Sequence, residues 1–149
     1  MTQEERMLLI KDLSARLPYA VTVEHTSGFR GTLHDIAVLH MYDENDNVYD
    51  AICYTDFFGD EDSIYIEYFK PYLFPLSRLN SLTDEQKKTL KVMCDWNDEE
   101  ADAQSILVLY QKHFVMKTDV IDWLNENHFD YRGLIEKGLA IDATGLNIY

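Results

Sequence analysis

Cysteine, proline and basic side chains are all scarce in this chain of 149 residues, and each shortage removes a class of protein. The two cysteines, Cys53 and Cys94, lie far apart, which excludes a disulfide scaffold and a cysteine-based zinc motif and leaves reduced, buried thiols as the expectation. With three prolines and six glycines the chain is neither collagen nor a low-complexity linker. No apolar run reaches the length of a membrane span. Only 13 Lys and Arg stand against 27 Asp and Glu, for a formal net charge of −14. A phosphate-backbone binder draws its affinity from clustered Lys and Arg, and an anionic membrane surface selects the same residues, so direct nucleic-acid and membrane binding are both disfavoured. The opening MTQEER is acidic and polar where an export signal is basic and then apolar, and a cytoplasmic location follows as an expectation.

What is present is a globular composition, 46% hydrophobic and 13% aromatic with ten Tyr. A chain of this length buries roughly 68 to 70% of its unfolded surface, enough for a core without staples. No repeat, linker or low-complexity tract interrupts it, so 1–149 reads as a single domain.

The expected fold class is α+β, with an N-terminal helix, an antiparallel four-stranded meander and a helical C-terminal half. Met7, Ile10, Leu13 and Leu17 recur at helical spacing between Thr2 and Leu17, and Pro18 stops the helix. From Ala20 the period changes to two, and strands are expected at Val21 to Val23, Phe29 to Tyr42, Val48 to Phe58 and Ser63 to Phe69, separated by Asn/Asp/Gly turns. Pro71 and Pro75 then mark an extended crossing segment. Thr83 and Gln86 form a capping-box pattern that opens a helix running to about Asp95. Between Asp98 and Val115 helix and strand patterns compete, and helix is favoured. Thr118 and Asp119 open a further helix whose Val120, Ile121, Leu124 and His128 share a face, and Asp130 can cap a turn that Gly138 ends.

Motif spacing yields no catalytic centre: GxSxG, P-loop, GxGxxG and HExxH are all missing. Asp43, Asn45 and Asn47 match the first ligands of a calcium loop, but Val48 stands where that loop needs Gly and Tyr54 where it needs Glu, leaving a hairpin turn. His34 and His40, on one strand, would sit about 20 Å apart and cannot share an ion. Cys94 falls near a helix C-terminus beside Asp95, where dipole and charge disfavour a reactive thiolate. We therefore read no catalytic residue, metal site or cofactor. The alternative from another class is a small hydrolase or transferase pairing His113 or His128 with a carboxylate; a virion or assembly component is a third.

Acid clusters remain. The sharper reading of Asp56, Asp60, Glu61 and Asp62, and of Asp95, Asp98, Glu99, Glu100 and Asp102, is a surface that contacts a basic protein partner or imitates nucleic acid, since spaced carboxylates steer a cationic target. Its bland counterpart is a solvated face that maintains solubility.

Three strings carry a resemblance: LLIKDLSARLPY (Leu8 to Tyr19), KPYLFPLSRL (Lys70 to Leu79) followed by LTDEQ, and DWLNENHFDYRGLIEKGLAI (Asp122 to Ile141). Together they resemble a set of small uncharacterised proteins encoded by phages and integrated mobile elements of gut bacteria. No activity, cofactor or catalytic residue is established for that family, so no residue role carries over. The resemblance implies an intracellular accessory protein, which favours interaction over catalysis. Within the last string, Trp123 and Phe129 read as anchors, Asp130 as a cap and Arg132 as the partner of a carboxylate or of unpaired carbonyls.

Overall fold

A computed structural model describes residues 1–36, 41–42, 44–45, 48–49, 51–56, 61–96, 102–113 and 115–149. The chain forms two compact units, one from 1–73 with 132–149 and one from 74–131, each with its own apolar core.

Helix α1 (Gln3–Arg16) opens the first unit. The Thr2 hydroxyl accepts the Glu5 amide at 3.2 Å and the Glu5 carboxylate accepts the Thr2 amide at 2.7 Å, a reciprocal cap worth about 1 kcal/mol. Pro18 lies in the 3-10 turn Leu17–Tyr19 that follows. The buried face of α1 is not the expected stripe: Leu9, Asp12, Leu13 and Arg16 face inward, whereas Met7 is 57% exposed. Counting apolar residues misses this face because Asp12 and Arg16, one turn apart, neutralise each other and can be buried together. Arg16 donates from Nε and Nη2 to the two Asp12 oxygens at 2.7 and 3.1 Å, and Arg132 Nη1 donates to Oδ1 at 2.8 Å.

The first unit's sheet runs β6-β5-β2-β1-β7-β8, from β1 (Thr22–His25), β2 (Arg30–Asp35), β5 (Ala51–Asp56), β6 (Glu61–Tyr65), β7 (Phe69–Leu73) and β8 (Ile141–Asp142), while β3 (Met41–Tyr42) and β4 (Val48–Tyr49) pair separately. The fold is mixed α and β with the helix first, as expected, but the four-stranded antiparallel meander is not. A 3-10 turn, Ile66–Tyr68, splits the expected strand Ser63 to Phe69; the chain then leaves β6, crosses to pair antiparallel with β1, and later receives β8 in parallel. Pro71 was the misleading signal. Thr26 N–H donates to Tyr68 O, and bonded and unbonded pairs alternate along an antiparallel ladder, so Pro71 opposite Val23 holds an unbonded position toward β1. On its other side β8 pairs only from Tyr72 onward, so the missing N–H leaves no partner unsatisfied. Leu9, Leu13, Val23, Leu33, Phe69 and Leu134 join one core against α1.

In the second unit Phe74 takes two backbone bonds, donating to His128 O and accepting from Asp130 N, both at 2.8 Å. Helix α2 (Asp84–Met93) has the expected Thr83/Gln86 capping box; within the ambiguous stretch Ala103–His113 is helix α3, while 98–101 and 114 lie outside the described residues; α4 (Thr118–Glu126) follows, with Lys117 rather than Thr118 at its N-cap. Leu79, Leu90, Ile106, Leu107, Val120 and Leu124 fill the core. Trp123 stacks on Phe129, ring centroids 5.8 Å apart, as anchors do. Among the described residues no helix is long and apolar enough to cross a membrane.

Across β2, β1 and β7 a polar cluster ties three strands together. Glu24 accepts from Arg30 Nε at 2.7 Å and from the Tyr72 hydroxyl, while the Arg30 guanidinium lies 5.1 Å from the Tyr72 ring centroid. Burial, and then the bond to anionic Glu24, push the Tyr72 hydroxyl up to about 12; the Tyr72 bond, aided by Arg30, holds Glu24 below its ordinary value. A phenol whose folded pKa is raised contributes stability in full below its unfolded value near 10, and loses it as pH rises from about 10 to about 12. Denaturant stability is therefore expected to fall between about pH 10 and 12, and Tyr72→Phe to lessen that fall, as measured by urea titration at each pH.

Candidate functional site

Backbone register gathers part of the first acidic cluster at one corner of the sheet. Asp56 ends β5 opposite Gly31, and Glu61 and Asp62 open β6 opposite Thr55 and Tyr54. Among the described residues strand β6 stands at one end of the sheet order, with β8 at the other. Asp60 lies outside the described residues, as do Asp98, Glu99 and Glu100 of the second cluster, and Asp43 and Asn47 of the calcium-like turn.

The described members of the second cluster, Asp95 and Asp102, both hold local structural posts. Asp102 precedes α3, and its Oδ1 accepts the Ser105 amide at 2.9 Å; the Ser105 hydroxyl first, and then that amide, lower the pKa of the carboxyl. Asp95 follows the C-cap Cys94 with φ +54°. Its N–H donates to Val92 O and Trp96 N–H donates to Lys91 O, the paired bonds of a Schellman end with Asp where glycine is usual. Lys117 donates to both Asp95 and Met93 O, placing a cation on the carbonyl end of α2. Lys117 carries no sequence signature; only its reach across the end of α2 marks it.

A cleft of about 580 Å³ lies between α2 and α3, lined by Asn80, Asp84, Lys87, Lys88, Lys91 and Asp102. Its three ammonium groups face two carboxylates, so its lining is of mixed charge. A second hollow, of about 470 Å³, is lined by Cys94, Trp96, Tyr110 and Lys117 among others. Burial first, with Asp119 and Asp95 adding to it, pushes the Cys94 thiol up to about 11 against the opposing effect of Lys117. That agrees with an unreactive thiol, and the chief cause is desolvation rather than the helix dipole. On α1, Met7, Leu8 and Ile10 line an apolar hollow flanked by Glu4 and Lys11.

Histidine acid-base chemistry is not assembled in these clefts: among the described residues none of the three is lined by a histidine. His128 does not share the α4 face as expected. It sits beyond the C-cap Asn127 with φ +56°; its N–H donates to Asn125 O, and Phe129 N–H donates to Leu124 O, a second Schellman end. His34 is exposed on β2, and His40 and the His113 side chain lie outside the description. His25 Nδ1 is 2.6 Å from Ser27 Oγ, and it also accepts the Ser27 amide in the β1–β2 turn. Among the described residues no group of three or more His, Cys, Asp or Glu could hold a metal ion.

Comparison of the chain with protein-family models, with curated proteins and with solved structures finds no match.

The backbone geometry at Asp95 separates its two duties. Asp95→Asn keeps a residue that tolerates the left-handed region, whereas Asp95→Val places a β-branched one there at a cost of about 1–2 kcal/mol. Thermal unfolding is expected to show Asp95→Asn close to the parent, since an exposed ion pair contributes no more than about 1 kcal/mol, and Asp95→Val clearly lower.

Proposed function

We propose that the chain is a non-enzymatic acidic binding protein that engages a basic protein partner, acting inside the cell as an accessory protein of a phage or mobile element. One observation carries this reading: the outer strand β6 opens with two adjacent carboxylates, and the register sets Asp56 beside them. An outer strand offers backbone donors and acceptors to an extended segment, and carboxylates at its start favour a segment rich in Lys and Arg. The excess of 27 acids over 13 bases adds long-range attraction for the same partner. The resemblance to mobile-element proteins supplies the cellular setting.

The test uses defined peptides. A ten-residue extended peptide with alternating Lys is titrated into the ¹⁵N-labelled protein at low and at high salt, beside a Gln-substituted control. Shifts confined to Glu61–Tyr65 and their β5 neighbours, with affinity falling at least tenfold in Glu61→Lys/Asp62→Lys and at high salt, are expected. Equal binding of the Gln peptide, or shifts centred elsewhere, would contradict the proposal.

A further inference from the structure

The ladder between β1 and β7 is interrupted at one rung. The pairs Val23 with Pro71, Glu24 with Lys70 and His25 with Phe69 continue to Thr26 with Tyr68, where Thr26 N–H donates to Tyr68 O at 2.9 Å. Alternation makes Glu24 with Lys70 the next bonded pair and Thr22 with Tyr72 the one after it. At that last position the strands are bridged by a side chain instead. Thr22 N–H donates to the Tyr149 hydroxyl at 3.2 Å, and the same hydroxyl donates to Tyr72 O at 2.8 Å.

A phenol can do this because its oxygen is at once donor and acceptor, the property a water would bring to the same gap. The hydroxyl must stay protonated to serve Tyr72 O. Its surroundings favour that form, since burial pushes Tyr149 up to about 12. The residue as a whole is 46% exposed, while its hydroxyl is inserted between the two strands.

The segment that delivers it is tethered at both ends. Ala143, fully buried, donates to Leu73 O at 2.8 Å, extending the parallel run of β8 beside β7. From Thr144 to Leu146 the described bonds are local: Thr144 N–H to Asp142 Oδ1 and Leu146 N–H to Ala143 O. Leu146 is 44% exposed. At Tyr149 the chain returns to the sheet through the two bonds of the hydroxyl.

We infer that residues 143–149 form a strap latched by the Tyr149 hydroxyl, which serves as a detachable rung of the β1–β7 ladder. While latched, the strap closes the seam at Thr22 and Tyr72. When it lifts, that N–H and C=O are exposed together as an adjacent donor and acceptor at the end of the seam. The latch is specific to the oxygen, because the aromatic ring alone offers nothing to either backbone group.

That specificity decides the experiment. Amide exchange at Thr22, Thr26 and Leu33 is compared in the full chain, in Tyr149→Phe and in Tyr149→Ala, with heteronuclear NOEs of residues 146–149 recorded in parallel. Thr26 and Leu33 donate to Tyr68 O and Val21 O and report the rest of the sheet. Thr22 is expected to exchange at least tenfold faster in both variants, with Thr26 and Leu33 unchanged and the NOEs of 146–149 falling. Retained protection of Thr22 in Tyr149→Phe would show that the ring suffices and overturn the latch. An equal acceleration at all three amides would show general loosening and overturn it as well.

Discussion

Asp12 receives two arginines, and the first unit is arranged around that carboxylate. Asp12 and Arg16 have side chains with no exposure at all, and Arg132 reaches them with 16% exposure remaining. Removing ions from water costs several kcal/mol each, and only good geometry with further hydrogen bonds offsets it. Here the Arg16 fork meets both carboxylate oxygens and Arg132 occupies Oδ1 a second time, so both oxygens are engaged. Such a cluster adds little net stability over an apolar core, yet it is intolerant of losing a member. Its effect is to join α1 to Arg132, where the chain re-enters the first unit. Gly133, with φ +72°, turns the chain there, and Leu134 enters the core. The approach to β8, and the strap beyond it, follow from that point.

The HFDYRGLI string is accounted for by the same logic. His128 supplies a left-handed helix end and accepts the Phe74 amide. Phe129 fills the second core, Asp130 N–H donates to Phe74 O, and Tyr131 O accepts from Gln111 Nε2 at 3.2 Å. Arg132 is the expected partner of a carboxylate, and Leu134 O accepts the Leu139 and Ala140 amides. Each of these residues has a local duty, which agrees with the structural reading of the string.

Legibility in the sequence followed the range of each interaction. The Thr83 capping box with its helix, the Pro18 stop and the turn at Gly28 are short-range devices, and they were readable. The face of α1 was not, because its buried polar pair is licensed by Arg132, distant in sequence. Nor was the crossing of β7, since whether a proline interrupts a strand depends on which ladder side its missing N–H faces. No linker composition marks the passage from Leu73 to Phe74, so the two units are invisible to composition. Of the acids weighed for binding, register unites Asp56, Glu61 and Asp62, while Asp95 and Asp102 were legible only as charges because their bonds are made by backbone groups and by Lys117.

The protein thus divides its polar chemistry, keeping Asp12 and Arg16 fully buried in the first unit while the Asp95–Lys117 pair stays exposed. The most direct check on that division is a double-mutant cycle between Asp12→Asn and Arg132→Met, read by urea denaturation. The account predicts that Arg132→Met is costly beside Asp12 and much less so beside Asn, with a coupling on the order of 1–3 kcal/mol. Losses that simply add would show that Arg132 does not act through the Asp12 carboxylate, and would contradict it.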